Sequence, residues 1–156
     1  MQQRVDTESM SINTPASLAN LSLVEVAKRI LACTDCPLSR GRTRAVPGEG
    51  SEKAAILFIG EGPGYHEDQL GRPFVGPAGK FLDDLLTSAG IKRQDVFITN
   101  VVKCRPPENR DPLPTEIEAC RKYLDRQLEI MQPKIVVTLG RHSMARFFPG
   151  ESISKV

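Results

Sequence analysis

KAAILFIGEGPGYHEDQLGRPFVGPAGKFLDDLLTSAG, residues 53–90, joins an apolar run to an amphipathic one through a loop of glycines, prolines and charges. The opening run is short, apolar and ended by Gly60, which suits a strand buried on both faces. In the closing segment Phe81, Leu82, Leu85, Leu86 and Ala89 fall on one helical stripe, and Gly90 stands where a helix cap belongs. Strand, loop and helix in that order make the first half of a βαβ unit. Residues 60–79 between them hold six glycines and three prolines. Glycines at 60, 62 and 64 let backbone N–H groups approach a ligand closely. A phosphate loop would end in Gly-Lys-Ser/Thr, which is missing, and the glycine spacing does not fit the dinucleotide pattern.

The same alternation continues downstream. DVFITNVV is rich in β-branched residues and reads as a second strand, followed by the proline-rich loop RPPENRDPLP. TEIEACRKYLDRQLEIM has Thr115 and Glu118 at capping-box spacing and Ile117, Cys120, Leu124, Leu128 and Met131 at helical spacing. KIVVTLG is a third strand and RHSMARFF a short helical start. Upstream, SLVEVAKRILA begins with Ser22 and Glu25 as a further capping box. The expected fold is three-layer α/β/α around a central, mostly parallel sheet. Ligands in such folds lie beyond the carboxyl ends of the strands, here residues 60–79 and 100–114.

Length and composition set the outer limits. At 156 residues and 40% hydrophobic content the chain is expected to build one modest core. Residues 1–20 are polar and aperiodic and read as a flexible lead-in, leaving residues 21–156 as the domain. No apolar stretch approaches the roughly 18 residues of a membrane span, so a soluble, cytoplasmic protein is expected. The formal charge of +2 names no partner. Its distribution is more suggestive: Arg40, Arg42 and Arg44 follow one another with no acid between them, as a phosphate-contacting segment or a solvated loop.

The four cysteines are Cys33 and Cys36 in CTDCPLSR, then Cys104 and Cys120. Without an export signal disulfides are not expected. Four converging thiolates would suit a four-iron four-sulfur cluster or a structural zinc, although zinc sites usually take two short knuckles. Spacing alone leaves cluster, zinc and unrelated buried thiols open.

Taken together, CTDCPL, GEGPG, GRPFVGPAG, ITNVVKCRPP and EIEAC, spread over residues 30–142, resemble the type-4 uracil-DNA glycosylases, the iron–sulfur branch of the uracil-DNA glycosylase superfamily. The resemblance implies hydrolysis of the N-glycosidic bond between uracil and DNA, leaving an abasic site. It implies a 4Fe-4S cluster on Cys33, Cys36, Cys104 and Cys120, and zinc recedes. It also implies uracil-containing DNA, single- or double-stranded, as partner of a monomeric enzyme.

Within that reading each site residue has a task. The enzyme must extrude the base into a pocket, where Phe74 would lie against the uracil face. Asn100, at the end of the second strand, carries an acceptor and a donor on one amide; uracil complements that pair and cytosine reverses it. Backbone groups of Glu61, Gly62 and Pro63 would contact the carbonyl that gains charge as the base departs. Glu67 would polarise water or crowd the C5 position against thymine. Arg40, Arg42, Arg44 and Arg105 would meet DNA phosphates, presented by a cluster that staples the Cys104–Cys120 loop to the N-terminal helix. Two other readings are a non-catalytic DNA-binding module with a structural cluster and a small redox protein; the GEGPG loop, Phe74 and Asn100 have no purpose in an electron carrier.

The chain departs from the family at its end. Members continue to a further strand and a His-Pro motif that supports the departing anion, and no His-Pro pair occurs in this sequence. His142 lies too early for that role and reads as a helix-start residue. The expectation is therefore a C-terminally truncated domain with an exposed apolar sheet edge and weak or absent activity.

Overall fold

The computed structural model describes residues 15–155. Their principal elements, in chain order, are α1 (Leu23–Ala32), α2 (Leu38–Gly41), β1 (Glu49–Gly50), β2 (Ile56–Gly60), α3 (Tyr65–Leu70), α4 (Pro77–Ser88), β3 (Phe97–Asn100), α5 (Pro114–Met131), β4 (Ile135–Thr138) and α6 (Arg141–Ala145). The sheet order is β1-β3-β2-β4. β3 and β4 lie parallel to β2 on its two sides, and β1 adds a two-residue antiparallel pairing on β3.

Because a strand's side chains alternate between faces, β2 serves two cores. Leu57 and Ile59 pack with Phe97, Val101 and the α5 residues Leu124, Leu128 and Met131. Phe58 packs on the opposite face with Ile98, Val96, Leu82 and Leu86. The β2-to-β3 and β3-to-β4 connections run in opposite directions across the sheet, so right-handed crossovers place α4 on one face and α5 on the other. A third cluster joins Val26 and Ile30 of α1 to Tyr123 of α5 and to Cys104 and Cys120. The mostly parallel α/β/α arrangement expected from the alternation is present.

Local chemistry explains most element ends. Ser22 and Glu25 form a reciprocal capping box at the start of α1. α4 closes in a Schellman arrangement: Gly90 (φ +72°) donates to Thr87 O at 3.0 Å, and Ile91 donates to Leu86 O at 2.9 Å. Two expectations need correcting. α5 starts at Pro114, ahead of Thr115; the carboxylate of Glu116, not Glu118, receives the Leu113 N–H at 2.8 Å. Proline at the first helical position fixes that earlier start. Of the apolar stripe on α4 only Leu82 and Leu86 are buried, while Phe81 and Leu85 are 65% and 48% exposed, because the sheet covers a narrower stripe than the apolar pattern spans.

Of the expected lead-in, residues 1–14 lie outside the described residues. Residues 15–20 form a hydrogen-bonded turn whose Leu18 is buried in the α1–α5 cluster. At the other end of the sheet β4 pairs with β2 alone among the described strands, and Ile135 is 49% exposed. No described helix is long and apolar enough to cross a membrane.

Candidate active site

Beyond the carboxyl ends of β2 and β3 lies a cleft of about 650 Å³, lined by the turn after β2, the first turn of α3, Phe74, Asn100 and the loop 106–112. Its floor follows from register. Gly60 pairs directly with Asn100, and Val101 and Val102 donate to the carbonyls of Gly60 and Glu61 at 2.9 and 3.1 Å, carrying the parallel pairing into the turn. A Cβ on Gly60 would come within 2.6 Å of the Phe74 ring and closer still to Asn100 Oδ1. Gly60 is thus the gap between these two side chains. Asn100 is 2% exposed, and its Oδ1 has no hydrogen-bond partner among the described residues. An unpaired buried acceptor is rare because it forfeits about 1–3 kcal/mol.

The other residues expected from the sequence border the same cleft. Glu61, Gly62, Pro63 and Glu67 all line it. Gly62 sits against Val102, where a Cβ would approach the methyl Cγ2 to 2.9 Å. Glu67 faces Gly64 and Gly76, where a Cβ added at either would meet its carboxylate at ordinary van der Waals distance, 3.4 and 3.5 Å. Asp68, its neighbour, does not share the cleft. It is buried and accepts the N–H groups of Thr43 and Arg44 at 2.8 and 3.3 Å, which pins the arginine-rich segment to α3.

The Glu61 side chain lies against Gly140, just beyond the carboxyl end of β4. A Cβ on Gly140 (φ +132°) would overlap the Glu61 carboxylate, and His142 Nε2 lies 3.5 Å from Glu61 Oε2 and 3.9 Å from Asp111 Oδ2. His142 therefore does more than start α6: it stands at the cleft beside Glu61. His142 and Asp111 were not anticipated at the site, because only the sheet brings residues 61 and 142 together.

Lys103 was not singled out either. It is 1% exposed and donates to Thr99 Oγ1 at 2.6 Å, Asn100 O at 2.8 Å and Gln127 Oε1 at 2.7 Å. Burial lowers its pKa to about 7. The Asn100 carbonyl is thereby tied to α5. The one sequence signal is a lysine inside the apolar run FITNVVKC.

The four cysteines line a second, smaller cavity on the α1–α5 side, together with Ile30, Arg42, Lys103 and Tyr123. Burial pushes the Cys120 thiol up to about 12 and raises that of Cys104. The Cys33–Cys36 loop is tied to α5 by an ion pair between Asp35 and Lys122. Of the four arginines, Arg40 and Arg44 are exposed. Arg105 lies over the Tyr65 ring, 5.4 Å from its centroid, at the rim of the cleft. Arg42 faces inward, donating to Cys104 Sγ and to Leu31 O, each at 3.1 Å. Both its terminal nitrogens have protein acceptors.

A slot between an aromatic ring and an asparagine amide, at the carboxyl edge of a parallel sheet, is the equipment of a protein that takes up a flat polar ligand. Residues 47–156 match the Uracil DNA glycosylase superfamily, and the chain belongs to that superfamily. It is 54% identical to the type-4 uracil-DNA glycosylase of Sulfurisphaera tokodaii over 86% of this chain and 63% of that protein. It is 52% identical to the type-4 enzyme of Archaeoglobus fulgidus over 81% of this chain and 64% of that protein. With the type-4 enzyme of Saccharolobus solfataricus the identity is 53%, over 88% and 65%. The chain thus spans somewhat under two thirds of the length of these curated relatives.

Proposed function

We propose that this chain excises uracil from DNA by hydrolysing the N-glycosidic bond of an extruded nucleotide, leaving an abasic site. The observation that carries the proposal is Asn100 Oδ1, a buried acceptor beside the Phe74 ring without a partner among the described residues. Uracil N3–H would supply the missing donor and uracil O4 would accept from the amide N–H; cytosine mismatches both. Phe74 stacks on the base, a contact worth about 1–3 kcal/mol in single-strand binders. The carbonyls of Gly60 and Glu61 are already paired. In the turn of Glu61, Gly62 and Pro63, the first two residues would offer their N–H groups to the oxygen that gains charge as the base leaves, and Pro63, which has none, would shape the turn. Glu67 polarises the attacking water or crowds the C5 position against thymine.

Cys33, Cys36, Cys104 and Cys120 would hold a 4Fe-4S cluster in the cavity they share. All four line that cavity together with Ile30, Arg42, Lys103 and Tyr123, and four thiolates are the donor set of such a cluster. The cluster supplies a cross-link between the end of α1 and the α5 region, and hydrolysis takes no electron from it. Arg40, Arg44 and Arg105 would meet phosphates of single- or double-stranded DNA, with Arg42 reserved for Cys104. A monomer acting in the cytoplasm, where thiols stay reduced, belongs to the same proposal.

The test is uracil release from labelled single-stranded and duplex oligonucleotides by the anaerobically purified chain, with Asn100→Ala as control. Release that disappears in the control is the expected result; no release from protein that carries its cluster would refute excision by these 156 residues.

A further inference from the structure

Phe74 is a non-glycine residue held at φ +50°, and one side chain from a distant part of the chain grips its backbone. Arg93, in the turn between α4 and β3, donates from Nη2 to Pro73 O at 2.6 Å and from Nη1 to Phe74 O at 3.0 Å. A single guanidinium thus spans two successive carbonyls. It is oriented by Asp83 of α4 at 2.8 Å and by Glu49 of β1 at 3.3 Å. Glu49 in turn takes both oxygens to Arg72, at 2.8 and 2.9 Å. On the other side of the same peptide a Cβ on Gly79 would overlap the Phe74 carbonyl, so α4 contributes the space into which that carbonyl is drawn. Left to itself a phenylalanine returns to negative φ, and the ring that now stands over Gly60 beside Asn100 would leave the cleft.

We propose that Arg93 is a positioning residue for base recognition: its planar fork locks the Phe74 backbone so that the ring forms one wall of the slot for a flat pyrimidine. The inference rests on the base-binding reading of the cleft. It adds that the wall is held from outside the cleft by an Arg–Glu–Arg chain linking β1, the segment before α4 and the turn after it. A lysine keeps the charge but cannot span two carbonyls.

Two readouts test it on the cluster-loaded protein, using Arg93→Met, Arg93→Lys, Phe74→Ala and the Arg93→Met/Phe74→Ala double variant. The first needs no ligand: the NMR signals of the Phe74 amide and ring are expected to move in Arg93→Met and Arg93→Lys, while those of Phe147 on the opposite sheet face stay. The second is the affinity ratio for uracil- over thymine-containing oligonucleotides. Arg93→Met should lower it about tenfold, the size of one stacking contact, as Phe74→Ala does, and the double variant should fall no further. Unmoved Phe74 signals, or losses that add in the double variant, overturn the proposal. If Arg93→Met does not fold, Gly79→Ala disturbs the same carbonyl with Arg93 intact and is expected to give the same shifts and the same loss; no change in either would be equally fatal. A wild-type chain with no uracil preference would refute the base-binding reading itself, and the ligand-free signals would still decide whether Arg93 holds Phe74.

Discussion

Asn100 and Gly60 show how much of the cleft rests on single atoms. Because Asn100 Oδ1 has no partner among the described residues, replacing Asn100 by leucine removes an unpaired polar atom and should leave the melting temperature unchanged or raise it. The same variant should lose discrimination between uracil and cytosine by roughly 10–100-fold in binding. A melting temperature that falls steeply would show that the amide serves the fold instead. Gly60→Ala works by obstruction: its Cβ would sit against the Phe74 ring and Asn100 Oδ1, so uracil affinity should drop while the absorption of the cluster proposed on the four cysteines, none of which borders this cleft, stays unchanged. Asn100 and Phe74 were legible in the sequence because each stands out, one ending a strand and one set among glycines and prolines. Arg93 and His142 were not, since their partners are residues 73, 74 and 61, and nothing local in RQDVF or GRHSM announces a distant carbonyl or carboxylate.

Helices and strands were read with unequal success, for physical reasons. β2, β3 and β4 have uninterrupted apolar runs, and α1, α4 and α5 have clear helical periods, so their order specified the parallel sheet. β1 escaped notice because two residues carry no period; it exists where Gly48 (φ +121°) and Gly50 (φ +131°) let the backbone come up against β3. α4 is a case of pattern exceeding contact, with Phe81 and Leu85 apolar yet exposed. Its end offers a clean test. Gly90 adopts φ +72° with open space around its Cα position, so Gly90→Ala meets no neighbour and should cost only the left-handed backbone term, about 1 kcal/mol by denaturant melting. A much larger loss would mean that the turn into Arg93 depends on that glycine for more than its dihedral.

For the protein as a unit, charge and pH separate the roles of its arginines and carboxylates. Arg44 is exposed and Arg42 is bonded to Cys104 and Leu31. Arg44→Ala should therefore reduce the slope of log affinity for DNA against log salt by about 0.7–0.9. Arg42→Ala should instead lower the melting temperature and leave the slope unchanged. Glu116, held by Arg110, and Glu49, held by Arg72, both have carboxyls below the ordinary value of 4.5. A depressed carboxylate stabilises the fold fully above that value and loses its contribution as pH falls below it. Melting temperatures measured downward from pH 6 should thus fall in that window, and Glu116→Gln should fall less steeply from a lower start. The cleft itself has a history within folding. Gly60, Asn100 and Thr138 end three strands that can pair only after two helical crossovers have been made, and such non-local pairings form late and slowly. No fragment short of the whole sheet can assemble the slot. A ligand bound there would consequently retard amide hydrogen exchange in the middle of β2 as well as at the rim, wherever exchange requires the sheet to open, because opening the sheet destroys the slot.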